Sequence, residues 1–160
     1  MKIRIKKRTD GAGVLSCVRE DGSESWQKVS GHQAPYFARH DLTHFAVETT
    51  FGYQRGFFGL LSEGWEFDDV TGKGTRGRLP PEALEVECLV GLLFSEQASH
   101  IIWTPDEFNQ AIADYYSTSG LTTNLVLTGE MLAQVRKRRS ELFRQWEAVP
   151  AGETMELTFE

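Results

Sequence analysis

The spacing of the apolar residues changes from strand-like to helical near Gly31, and that change constrains the fold more than any other feature. Before it, Lys2 to Arg8, Val14 to Arg19 and Glu24 to Val29 are short segments of strand character. Thr-Asp-Gly-Ala-Gly and Glu-Asp-Gly-Ser separate them and supply the Asp and Gly that tight turns need. The pattern predicts a three-stranded antiparallel meander. After Gly31 the apolar residues recur at helical spacing, first from Ala34 to about Phe51, where Gly52 ends the run. A short helix is predicted over Phe57 to Ser62. A long one runs from Pro81 to about Gln97, opened by Leu79-Pro80-Pro81-Glu82, where a missing N–H costs nothing. Thr104-Pro105-Asp106-Glu107 reads as a capping box that starts another helix, and a further helix spans about Thr128 to Glu147. The stretch Glu66 to Arg78 has no period and is expected to be a surface loop. The tail Thr154 to Phe159 alternates again and is expected to pair with the meander. The expected fold is α+β: a small antiparallel sheet, made of the meander and the C-terminal strand, packed with four or five helices. No repeat or linker divides the chain, so residues 1–160 are expected to form a single domain.

Composition excludes several classes. With 160 residues, 40% of them hydrophobic, the chain can build a core without a covalent staple. Cys17 and Cys88 form no CxxC pair and are too few for a disulfide framework, so both are expected to be small buried residues. The N-terminal residues lack the apolar core of a signal peptide, and no apolar run of about 18 residues occurs, which predicts a cytoplasmic protein with no membrane partner. A net charge of -6 argues against a nucleic-acid partner. The run Arg136-Lys137-Arg138-Arg139 shares a helix with Glu130 and Glu141 and is expected to be a solvated face. Gly72, Gly74 and Gly77 follow no strand and precede no Gly-Lys-Ser or Gly-Lys-Thr, so they make no phosphate loop.

The chemistry is concentrated on the helix after Gly31. His40 and His44 are four residues apart, so their imidazoles lie one turn apart on one face and can converge on a metal ion. Glu48 continues the row. His40, Asp41, His44 and Glu48 share an arc with Phe37, Val47 and Phe51, while Arg39, Thr43, Ala46 and Thr50 fall on the opposite side, expected to face solvent. Ionisable groups turned toward a core need partners, and a metal or a closed hydrogen-bond network would supply them. Glu87, at the margin of the apolar face formed by Ala83, Val86, Val90, Leu93 and Phe94, could join them or pair with Arg39, Arg55 or Arg78. His100 precedes Ile101-Ile102-Trp103 and is a further imidazole near apolar sequence. A set of His40, His44, Glu48 and Glu87 suits a divalent metal such as zinc, manganese or iron, zinc first. Gly56-Phe57-Phe58-Gly59 could line a pocket beside it.

The string His40-Asp41-Leu42-Thr43-His44 resembles the zinc helix of thermolysin-like metallopeptidases, His-Glu-Leu-Thr-His, whose Glu is the general base. Asp41 stands in place of that Glu and is one methylene shorter. The third ligand of those enzymes comes from an Asn-Glu motif on a later helix; Glu63 and Glu66 lie at a comparable distance without that motif. Over roughly residues 1 to 100 the chain also resembles a family of small bacterial proteins with no established function. That resemblance rests on Cys17 to Gly22, His40 to Glu48, Gly56 to Leu60 and Gly64-Trp65, and it implies no activity. The functional expectation is a metal-dependent, hydrolase-like protein acting on an unidentified small molecule or protein. His40 and His44 hold the ion, Glu48 or Glu87 completes the site, and Asp41 orients a ligand or acts as base toward a water. The alternative is a non-enzymatic interaction or regulatory domain in which the same residues only hold helices together.

Overall fold

The computed structural model describes residues 1–28 and 34–160. Strands β1 (Lys2–Lys7), β2 (Gly13–Val18) and β3 (Glu24–Lys28) form the meander, and Val29, expected to end the third strand, lies outside the described residues. The C-terminal strand β4 (Thr154–Thr158) pairs antiparallel with β1, giving the sheet order β3-β2-β1-β4. The two turns close as their sequences require. Asp10 and Asp21 carboxylates accept the amides of Ala12 and Ser23, and Gly11 and Gly22 take φ of 80° and 83° in the left-handed region.

Register puts Ile3 opposite Cys17 and Ile5 opposite both Leu15 and Met155, so one face of the sheet is apolar and buried. On the other face Arg4 pairs with Glu156 at 2.9 Å. Lys7 Nζ donates to the carbonyls of Trp146, Glu147 and Val149, capping the end of the last helix where it would otherwise present unpaired acceptors. These bonds tie β1 to the segment that leads into β4.

Among the described residues six helices follow the meander: α1 (Ala34–Phe51), α2 (Phe57–Ser62), α3 (Phe67–Val70), α4 (Pro81–Ser99), α5 (Pro105–Thr118) and α6 (Gly129–Ala148). Five of them match the expectation from periodicity. The sixth, α3, is a single turn inside the stretch expected to be a loop; the Glu66 amide donates to Asp69 Oδ2 at 3.1 Å, and Phe67 and Val70 are buried. The expected capping box of α5 is present, with the Thr104 amide donating to Glu107 Oε2 at 2.7 Å and the Glu107 amide to Thr104 Oγ1 at 3.3 Å. No helix is long and apolar enough to cross a membrane among the described residues.

Helix α1 is the shared wall of two apolar clusters. Ala38, Leu42, Phe45 and Ala46 pack with the sheet, α2 and the end of α6, while Val47 packs with α4, α5 and the start of α6. Its contact with β2 is close enough that a Cβ on Gly13 would lie 2.9 Å from Ile5 Cγ2 and 3.1 Å from Ala38 Cβ. The middle of the face expected to meet solvent is covered instead: Thr43 and Ala46 are fully buried where α6 packs on α1, while Arg39 and Thr50 at either end stay partly exposed.

The basic run on α6 is also not one solvated face. Arg139 is buried, with Nε donating to Thr43 Oγ1 at 3.1 Å and Nη1 to the Leu93 carbonyl at 3.3 Å, and its guanidinium lies over the rings of Phe94 and Phe143. Arg136 reaches Glu96 and the Trp103 carbonyl. Burial holds the pKa of Arg139 down to about 10. None of its three acceptors is left stranded without it: Leu93 is within α4, Thr43 Oγ1 also donates to the Arg39 carbonyl at 2.8 Å, and Gln97, whose Oε1 accepts from Nη2, is exposed to water. Arg139→Met is accordingly expected to change the unfolding free energy by less than about 1.5 kcal/mol, and Arg139→Ala to cost about 2–4 kcal/mol through the void it leaves. Urea unfolding of the two variants checks this, and equal losses would show that the charge, not the packing, is what matters.

Candidate metal centre

His40 and His44 project from successive turns of α1, with ring centroids 4.7 Å apart. Glu87 comes from α4, which packs beside α1, and its Oε1 lies 3.6 Å from His44 Nε2. One ligand atom from each of His40, His44 and Glu87 can be chosen so that all lie within 4.8 Å of one another, so these residues could hold a metal ion. His40 stacks on Phe94 with centroids 5.8 Å apart and 15° between planes, and His44 lies 4.9 Å from the Phe57 ring. Both imidazoles are thus fixed by aromatic packing before any ligand arrives.

The electrostatics favour the form of imidazole that binds metals. His44 is 1% exposed, and burial together with the neighbouring His40 holds its pKa well below the ordinary value, so the ring is neutral with a free lone pair. Among the described residues neither His44 Nδ1 nor Nε2 has a hydrogen-bond partner. A buried polar group left unpaired costs about 1–3 kcal/mol, which demands a reason. Burial also raises the carboxyls of Asp41 and Glu87, with His40 opposing both.

The structure divides the residues expected in the site. His40, His44 and Glu87 meet. Asp41 sits beside them, its Oδ1 3.9 Å from His40 Nδ1. Glu48 is on the expected face but is turned away from the histidines. Its carboxylate accepts the amides of Phe58 and Gly59 at 3.1 Å, and its nearest approach to His44 Nδ1 is 4.0 Å. Glu48 therefore anchors the start of α2 to α1, and burial pushes its pKa up to about 8. Glu87 meets His44, whereas Arg39 pairs with Glu147 and Arg55 with Glu63. Glu66 is engaged by Ser25 and Arg19, so neither acid placed at the thermolysin-like third-ligand distance joins the histidines. His100 is the exposed cap of α4 at φ 57°, followed by exposed Ile101 and Ile102, and belongs to no core.

A cavity of about 380 Å³ opens on the centre, lined by His40, Asp41, His44 and Glu87 together with the apolar Phe37, Phe57, Val70 and Leu79, and by Gln27, Thr71 and Gly72. Phe57 is the pocket residue that its glycine-flanked position suggests. Val70, Thr71 and Leu79 are additions, although an isolated Val and Leu in an otherwise polar, glycine-rich stretch are a signal that the stretch returns to a core. No protein-family model, curated protein or solved structure matches the chain.

Proposed function

We propose that the chain binds one divalent metal ion, zinc first among the candidates, through His40, His44 and Glu87, and that the site is hydrolase-like. The observation that carries this reading is His44: a buried neutral imidazole with neither nitrogen paired among the described residues, facing a carboxylate from another helix. A borderline set of nitrogen and oxygen donors suits zinc, manganese or iron, and a protein ligand set of three leaves room for a further ligand, as in catalytic rather than structural zinc sites. An ion held there would supply a Lewis acid that polarises a carbonyl. Asp41, buried in the same cavity wall, is the side chain we assign to orienting His40 or to taking a proton from a water in the cavity. Free buried thiols at Cys17 and Cys88 suit a reducing cytoplasm.

One observation favours a second reading. Glu48 on the same row already has a purely structural role, and the stacking of His40 and His44 on Phe94 and Phe57 could be all that the imidazoles do.

Elemental analysis of untagged protein equilibrated with zinc and then desalted separates the two. The expected result is one ion per chain in the wild type, and a loss of affinity of at least about 100-fold in His40→Ala, His44→Ala and Glu87→Gln. Wild-type protein that retains no ion, with alanine variants that lose their fold, would establish the structural reading instead.

A further inference from the structure

We infer that the free side of this centre is an acyl pocket: it takes a small molecule carrying a compact apolar acyl group, with the carbonyl oxygen directed at His40, His44 and Glu87. The inference rests on the metal-binding reading and adds the class of substrate.

Four apolar side chains line the cavity together with the three candidate ligands. Phe37 comes from α1, Phe57 from α2, Val70 from α3, and Leu79 from the segment leading into α4. The walls come from four separate stretches of chain, and the cavity they form is partly open to solvent, so a ligand can enter with one end left outside. At about 380 Å³ the cavity lies toward the low end of the range for small-molecule sites, which run from roughly 300 to 1,000 Å³.

Its lining also argues against other classes. Among the described residues it contains no Lys or Arg, so a phosphoryl group would find no cation except at the centre itself. A sugar would have only Gln27 and Thr71 to satisfy its hydroxyls beyond the site acids and imidazoles. An apolar tail, by contrast, gains from every wall it touches, while a single oxygen head is all the polar chemistry the ligand set requires.

The test uses the full chain loaded with cobalt(II), whose visible absorption reports changes in its ligands. Benzohydroxamic acid, acetohydroxamic acid and phenylphosphonate are titrated in turn. Benzohydroxamate is expected to bind at least about tenfold more tightly than acetohydroxamate, because only its ring reaches the apolar wall. It is also expected to bind more tightly than phenylphosphonate. In Leu79→Gln, cobalt uptake is expected to persist while the preference for the aromatic hydroxamate falls toward unity. Equal affinities for the two hydroxamates in the wild type, or tighter binding of phenylphosphonate, would overturn the acyl pocket and leave the metal reading standing. Absence of cobalt uptake in the wild type would overturn both.

Discussion

Replacing Glu48 with alanine is expected to remove about 3–5 kcal/mol of unfolding free energy. The Glu48 side chain is fully buried, and its carboxylate accepts two of the free amides in the first turn of α2, Phe58 N and Gly59 N, each at 3.1 Å. The fit around it is close, since a Cβ on Gly56 would lie 2.5 Å from Glu48 Cδ. Alanine leaves two donors without a partner in a space already shut to water, and opens a void where a methylene and a carboxyl had been. Glu48→Gln should lose no more than about 1 kcal/mol, because its carbonyl oxygen can accept both amides as Oε2 does now.

The same pair of proteins yields a pH prediction, measured with a chelator present. The Glu48 pKa is raised from 4.5 to about 8 by burial, against the opposing amide bonds, with the charge of Glu87 a smaller contribution in the same direction. Between those values the folded state holds a proton that the unfolded state has released, so the stability Glu48 contributes is full below 4.5 and is lost as pH rises toward 8. His44 acts oppositely. Its depressed pKa means that the unfolded chain takes up a proton below 6.5 that the folded chain refuses, and this offsets Glu48 on the acid side. From pH 6.5 to 8 the wild type is therefore expected to lose about 2 kcal/mol relative to Glu48→Gln. Urea denaturation at several pH values measures the difference, and parallel curves for the two proteins would contradict a raised Glu48.

Gly59→Ala is expected to be comparably damaging, at about 3 kcal/mol or more. A Cβ at Gly59 would lie 1.9 Å from the carbonyl oxygen of Gln54 and 2.4 Å from its carbon, so the obstacle is backbone and no rotamer change relieves it. Nor can the turn simply retreat. Glu82, in the first turn of α4, accepts the amides of Gln54 and Arg55, the latter at 2.8 Å, and clamps the segment between α1 and α2. Relief requires breaking that clamp or lifting α2 from α1, which would also withdraw Phe57 from His44. Gly91→Ala is the control: it lies within α4, has nothing within 4 Å of the added Cβ, and should stabilise by about 0.5–1 kcal/mol. Thermal unfolding of both variants is the measurement, and a Gly59→Ala protein as stable as wild type would mean that the α1–α2 turn yields more easily than these contacts imply.

These two residues show how the candidate centre is supported. Glu48 and Gly59 hold α2 against α1, and α2 carries Phe57, which packs on His44 and walls the cavity. The polar row on α1 is thus divided between a part that binds its neighbour helix and a part left facing the cavity. Neighbouring members of one helical row acquire different roles because different elements lie opposite them.

Much of the architecture follows from neighbours in the chain. Turn chemistry at Asp10-Gly11 and Asp21-Gly22, the capping box at Thr104 and Glu107, and the end of α1 at Gly52 are interactions spanning only a few residues, so their signals stand in the sequence itself. The pairing of His40 with His44 is of the same kind, since four residues on a helix fix their proximity. What lies across from each face is decided elsewhere. Thr43 and Ala46 resemble an outer surface because helical periodicity distinguishes one apolar stripe, and a helix enclosed on several sides by α4, α6 and the sheet has small residues wherever a neighbour presses close. Arg139 lies inward because rings from α4 and α6 receive its guanidinium, and Glu48 stands apart from the histidines because amides ten residues further along the chain claim it. Selecting Glu87 over Glu48 as the companion of the histidines depends on how two helices cross, and that crossing is the sum of packing contacts made far apart in the chain.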